Sequence, residues 1–170
     1  MDFVWKQLYA TTYTKARLEH RLGVLQHVLK QVVYTKTETD EGVTLYHQKL
    51  HDYATGEDLV ALEALGSDWV SSLDEQSLAT LGQQATEHTN VAPLLTVYVP
   101  TALDESAEAN LGTWCRTELD EQLLLELVVD PEVLGGCGFI HDDSYYEYSL
   151  RTALAEKPER LRDIINSYAT

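Results

Sequence analysis

From Thr14 onward, Leu18, Leu22, Leu25, Leu29 and Val32 recur at alternating spacings of four and three residues. That repeat gathers side chains onto one stripe of an α-helix. Lys15, Arg17, Glu19, Arg21 and Lys30 fall on the polar side, and the pattern predicts one helix from about Phe3 to about Tyr34. Fewer than four heptads are present, which suits a packed helix better than an autonomous coiled coil. The stripe needs a partner, in this chain or on another subunit, so Leu18, Leu22, Leu25 and Leu29 are candidate interface residues.

The stretch Thr35 to Glu41 with Gly42 is polar and reads as a loop, and VTLYHQKLHDYA after it fits either a strand or a short helix. Thr55-Gly56-Glu57-Asp58 introduces a helical spacing of Leu59, Leu62, Leu65 and Trp69, and Asp74-Glu75-Gln76 opens a further helix. After Asn90 the texture changes. Leu95, Val97 and Val99 alternate with Thr96 and Tyr98, the period of a strand, which Pro100 ends. Asp104 has the chemistry of an N-cap, with a helix following to about Glu118. Leu123 to Val129 is a second strand, Gly135 to Ile140 is extended, His141 to Ser144 turns, Tyr145 to Tyr148 returns, and Leu150 to Tyr168 is a terminal helix. The fold class expected is α+β: an N-terminal helical bundle over residues 1–90, then a small α/β domain over residues 91–170 with the order β-α-β, β-hairpin, α.

A chain of 170 residues suits such a pairing of small units. The longest apolar run, Val91 to Leu103, is broken by Pro93 and Pro100 and falls short of the roughly 20 residues that span a bilayer. No direct membrane insertion is expected. The first residues carry no basic segment followed by an apolar core, so the protein is read as remaining inside the cell.

The net charge of −16 is unevenly spread: residues 1–36 carry +4, residues 37–150 carry −21 and residues 151–170 carry +1. So acidic a middle repels phosphate backbones, which argues against nucleic acid as a partner.

No spacing in the chain asks for a catalytic, cofactor or metal site. His141, Asp142 and Asp143 are consecutive and cannot all face one ion, so they read as a solvated turn. His20, His27, His47, His51 and His88 are scattered; His47 and His51 would share a face of a helix and are read as surface residues. Nucleophile-elbow and phosphate-loop patterns are missing, and Gly135-Gly136-Cys137-Gly138 leads into a β-like segment. Cys115 and Cys137 form no Cys-x-x-Cys pair and read as small buried hydrophobes. Cys137 is the best nucleophile on offer, but its acidic surroundings oppose a thiolate. Tyr146 and Tyr148 share one face of the return strand, with Tyr145 on the other, so Tyr146 and Tyr148 are either interface residues or one side of a half-buried strand.

Val128-Val129-Asp130-Pro131-Glu132-Val133-Leu134-Gly135-Gly136, a hairpin, and then Ser149-Leu150-Arg151-Thr152-Ala153-Leu154 resemble the C-terminal signature of ATP synthase delta (oligomycin-sensitivity-conferring) subunits. The strand Leu94 to Val99, the Thr101-Ala102-Leu103 turn and the acidic-start helix also fit that family's order, and the resemblance covers about residues 90–155. Cys137-Gly138-Phe139 and Glu147-Tyr148-Ser149 depart from the family's hydrophobic or basic strand and its Asp-Gly-Ser. The resemblance implies a non-catalytic subunit without cofactors, in which Asp130, Pro131, Gly135, Gly136, Ser149 and Leu154 shape the backbone. It implies ATP synthase alpha and b subunits as partners, residues 1–90 meeting the head and residues 91–170 the stalk. It also implies a place at the cytoplasmic face of the membrane, peripheral through the complex. The family has a six-helix N-terminal bundle, whereas three or four helices are legible here. Other stator adaptors, the E subunit of vacuolar or archaeal-type ATPases and its flagellar or type III secretion counterpart, share the C-terminal likeness but begin with a long charged coiled coil.

Overall fold

The computed structural model describes residues 2–35, 42–141, 144–156 and 158–159. It is an α+β protein of two compact units, Met1–Pro93 and Leu94–Thr170. Leading the first unit are α1 (Asp2–Thr11), α2 (Lys15–Thr35) and α3 (Gly42–Tyr53). After these come α4 (Gly56–Glu63), a 3₁₀ turn (Asp68–Ser72) and α5 (Glu75–Val91). The second unit holds β1 (Leu94–Val99), α6 (Glu105–Glu118), β2 (Leu124–Val129), β3 (Gly136–His141), β4 (Ser144–Ser149) and α7 (Leu150–Glu156).

The single N-terminal helix expected from the periodicity is two helices. The chain breaks at Thr12, Tyr13 and Thr14, where Thr12 and Thr14 are buried. A cation on α2 holds the break. Arg21, expected on the polar side, is 1% exposed and donates from its guanidinium to the Thr11 carbonyl at 2.7 Å and to the Thr12 hydroxyl at 2.9 Å. The segment that fits either strand or helix is α3. It buries Tyr46 and Leu50, and Tyr46 meets Trp69 of the 3₁₀ turn edge-on with ring centroids 6.1 Å apart. At α5 the Asp74 carboxylate accepts from the Ser77 N–H at 2.7 Å, satisfying one of the donors left open at a helix start. Hydrogen bonding from Ser77, its side chain first and then its N–H, holds the carboxyl of Asp74 below its ordinary pKa. The polar segment 36–41 and the part of the expected terminal helix beyond 159 lie outside the described residues.

Leu18, Leu22, Leu25, Leu29 and Val32 are all buried within the first unit, where α2 packs against α3 and α5. The stripe finds its partner inside the chain. Leu18, Leu22, Leu25 and Leu29 are therefore core residues, and their assignment as an interface is corrected: a strip of leucines at this spacing covers whichever neighbour is present, and here that neighbour is local.

In the second unit the strands lie in the order β2-β1-β3-β4. β1 and β2 are parallel, which requires a crossover, and α6 supplies it. β3 runs antiparallel to β1 and forms a hairpin with β4. The alternation in β1 turns Leu95, Val97 and Val99 inward, where they join Cys115 of α6 and Leu123 and Leu125. Leu103, Leu111, Leu127, Cys137 and Phe139 extend this core at its margins. The expected N-cap is present, with Asp104 accepting from the Ala107 N–H at 2.7 Å.

Candidate functional site: the Asp130–Gly136 turn and the aromatic hairpin

The six residues from Asp130 to Gly135 connect β2 to β3, whose first residue is Gly136, and hydrogen bonds fix their path. The Asp130 N–H donates to the Val99 carbonyl at 2.8 Å, so the turn starts where the parallel pair ends. Its carboxylate accepts from the Glu132 N–H at 2.9 Å and its carbonyl from the Val133 N–H at 3.1 Å, closing a turn with Pro131 at its first corner. Proline has the dihedral preset for that position, and aspartate has the short acceptor that stabilises it. Val133 then plugs into the interior.

Gly135 and Gly136 follow with φ of +67° and +84°, a region that side chains rarely enter. At Gly136 space is also refused. A methyl group there would overlap the carbonyl oxygen of Tyr148 and lie 3.1 Å from its carbon. This close passage brings the turn against the start of α7, whose Leu150 N–H donates to the carbonyls of Leu134 at 2.9 Å and Gly135 at 3.0 Å. Ser149 is buried, and its hydroxyl accepts from the Thr152 N–H at 3.3 Å and contacts the Glu147 carboxylate. The structure thus gathers Asp130, Pro131, Gly135, Gly136 and Ser149 around one junction of β2, β3, β4 and α7. Leu154 falls on α7, but its side chain is outside the described residues.

Beside this junction the hairpin carries an aromatic cluster. Cross-strand register places Phe139 opposite Tyr146 and Cys137 opposite Tyr148. The Phe139 ring stacks on Tyr146 at 5.3 Å and on Tyr148 at 5.7 Å, the latter with planes 8° apart. Val97 of β1 pairs with Phe139, so this is the sheet face that α6 partly covers. Beyond that cover Tyr146 is 43% exposed and Tyr148 67%. Tyr145 points to the opposite face, where it lies over Gly138 and meets Tyr98 edge-on at 5.7 Å. Phe139, which the sequence pattern alone does not single out, completes the cluster; its signal is the match of Cys137-x-Phe139 to Tyr146-x-Tyr148 across the hairpin. Leu134 and Leu150 are exposed at the neighbouring junction, and Trp114 and Leu119 are exposed on and just after α6.

The remaining candidates are dispersed. Asp142 and Asp143 lie outside the described residues, as does the side chain of His141. Among the described residues no group of three or more His, Cys, Asp or Glu side chains is placed to hold a metal ion. His20 lies 3.4 Å from Asp58 and His51 lies 3.1 Å from Glu63, while His27 packs on Tyr53, His47 on Tyr46 and His88 on Trp5. Cys115 is buried and Cys137 half-buried, both as free thiols. Among the described residues no helix is long and apolar enough to cross a membrane. The arrangement offers exposed aromatic contact area beside a backbone fixed by hydrogen bonds. Neither a scan against protein-family models nor a search of curated proteins finds a match for this chain.

Proposed function

We propose that the chain is a delta-type adaptor of a rotary F-type ATP synthase, tying the b subunit of the peripheral stalk to the alpha/beta head. The observation that carries this reading is the turn from Asp130 to Gly136. Each residue by which the sequence resembles delta subunits there has a definite effect on the backbone. Asp130 and Pro131 set the corner, Gly135 and Gly136 pass where side chains cannot, and Ser149 starts α7.

Further support comes from the order of elements, a helical unit followed by β-α-β, hairpin and α, and from the first unit's five α-helices and 3₁₀ turn among the described residues. That helical content is closer to the family's six-helix bundle than the three or four helices legible in the sequence. The stator adaptors that begin with a long coiled coil fit less well. Among the described residues the longest helix of the first unit, α2, has 21 residues and packs its apolar stripe against α3 and α5.

In this reading the protein does no chemistry and works by stiffness: it holds the head against rotor torque during proton-driven synthesis. Docked to the complex, it sits at the cytoplasmic face of the membrane without entering it. The exposed tyrosines of the hairpin suit the stalk contact, because a phenol buries a large area while keeping a polar tip for hydrogen bonding.

The test is purification of the tagged chain from its own cells at low and moderate salt, with the accompanying subunits identified by mass. Alpha, beta and b subunits in fixed proportion are expected. Their absence, or recovery of a secretion or vacuolar-type ATPase in their place, overturns the reading.

A further inference from the structure

The two cysteines are 22 positions apart in sequence, one on the crossover helix α6 and one on the central strand β3. Folding brings both to one core cluster. Cys115 belongs to the buried cluster with Leu95, Val97, Val99 and Leu125, and Cys137 packs at the margin of that same cluster. Their exposures differ: Cys115 is 2% exposed, whereas Cys137 is half-buried on the hairpin, opposite Tyr148. We propose that Cys115 and Cys137 are a reversible redox pair, which low-molecular-weight disulfides convert to an internal disulfide stapling α6 to β3. The inference rests on the packing of the second unit alone and holds whether or not the chain is a stator subunit.

The order of events follows from exposure. Thiol–disulfide exchange needs a thiolate and a path to the attacked sulfur. Burial, and then the neighbouring Cys137, push the Cys115 thiol above its ordinary pKa, so Cys115 is both hidden and slow to ionise. Cys137 therefore reacts first. Its thiolate attacks the small disulfide R–S–S–R, forming a bond to one sulfur and releasing RS⁻. Cys115 then loses its proton to water and attacks the Cys137 sulfur, expelling the second RS⁻. Two protein thiols are oxidised, one small disulfide is reduced to two thiols, and the only new bond left in the protein joins Cys115 to Cys137. The closed loop contains β2 and the Asp130–Gly136 turn, so the staple removes freedom from the unfolded chain over the segment that organises the second unit.

The experiment treats the full chain with a graded excess of glutathione disulfide, then reads intact mass and a non-reducing peptide map. The expected product is lighter by two hydrogen atoms, with Cys115 linked to Cys137, and its thermal midpoint is higher by about 10 °C until dithiothreitol reverses it. Cys115→Ala should stop at the mixed disulfide on Cys137, and Cys137→Ser should take up no glutathione. A wild-type chain that stays reduced, or yields only a mixed disulfide or a cross-linked dimer, overturns the pair. That result is read on the unaltered protein, so it does not depend on either variant folding. Glutathione on Cys115 in the Cys137→Ser chain overturns the proposed order.

Discussion

The guanidinium of Arg21 donates through Nε to the Asp58 carboxylate at 2.8 Å, joining α2 to α4 inside the first unit. The same side chain reaches the Thr11 carbonyl and the Thr12 hydroxyl, so one cation fastens the end of α1, the face of α2 and the start of α4. A buried charge keeps its place only while its partner is present. Asp58→Ala is expected to destabilise the first unit by about 3 kcal/mol, because Arg21 remains buried without the Asp58 carboxylate. Replacing Arg21 with Met in that background should recover part of the loss, since the buried charge that Asp58 served leaves with it. Urea unfolding of the two variants measures both; a double variant less stable than Asp58→Ala would contradict the account.

Gly135 and Gly136 are adjacent and both left-handed, but they are not equivalent. At Gly135 an added methyl group would find the Leu150 Cβ at an ordinary 3.6 Å, so Gly135→Ala costs only the strain of its φ, about 1 kcal/mol. At Gly136 the methyl group overlaps the Tyr148 backbone, which cannot swing aside without breaking the β3–β4 ladder. Gly136→Ala is expected to cost about 3 kcal/mol or more, with loss of the hairpin's amide protection in hydrogen exchange. Equal costs at the two positions would contradict the close passage.

The second unit was legible in the sequence because its signals are local. The alternation of Leu95, Val97 and Val99, the capping aspartate at 104 and the Asp130-Pro131 and Gly135-Gly136 pairs each dictate backbone shape within a few residues of themselves. The first unit was less legible because its decisive contacts are distant. Arg21 looks like any solvated helix cation until Asp58 and the Thr11–Thr12 break are brought to it. For the same reason the break between α1 and α2 is hidden in a pattern that reads as one helix. The periodicity of the leucines could locate an apolar stripe without saying what covers it.

Tyr46 supplies a pH test. Its ring is buried, its hydroxyl is 3.5 Å from the Leu62 carbonyl, and burial followed by the nearby Glu63 carboxylate pushes its pKa from 10.0 up to about 12. The fold thus favours the neutral phenol. Its contribution is fully present below the unfolded pKa of 10.0 and is lost as pH rises through about 12. The loss amounts to about 2–3 kcal/mol. Tyr46→Phe should lie within about 1 kcal/mol of wild type at neutral pH and overtake it in this alkaline window. Parallel urea titrations from pH 7 upward compare them; curves that never converge would rule out Tyr46 as the titrating group.

Buried leucines and exposed tyrosines should separate folding from association. Leu22→Asp with Leu25→Asp places two carboxylates in the interior of the first unit, at a cost of about 5 kcal/mol or more, comparable to the whole stability of a small domain. The helical signal should collapse, and any binding with it. Tyr148 is the opposite case: its stacking on Phe139 lies at the surface, so Tyr148→Ala should cost the isolated chain only about 1 kcal/mol. If the aromatic hairpin faces the stalk, that substitution weakens b-subunit binding by about tenfold or more, as removal of a central interface tyrosine does. Isothermal titration against the purified b subunit, alongside a melting curve for each variant, measures the two quantities together. A Tyr148→Ala chain that folds and binds like wild type would remove the hairpin from the stalk contact and leave the exposed residues of α6 as the next face to test.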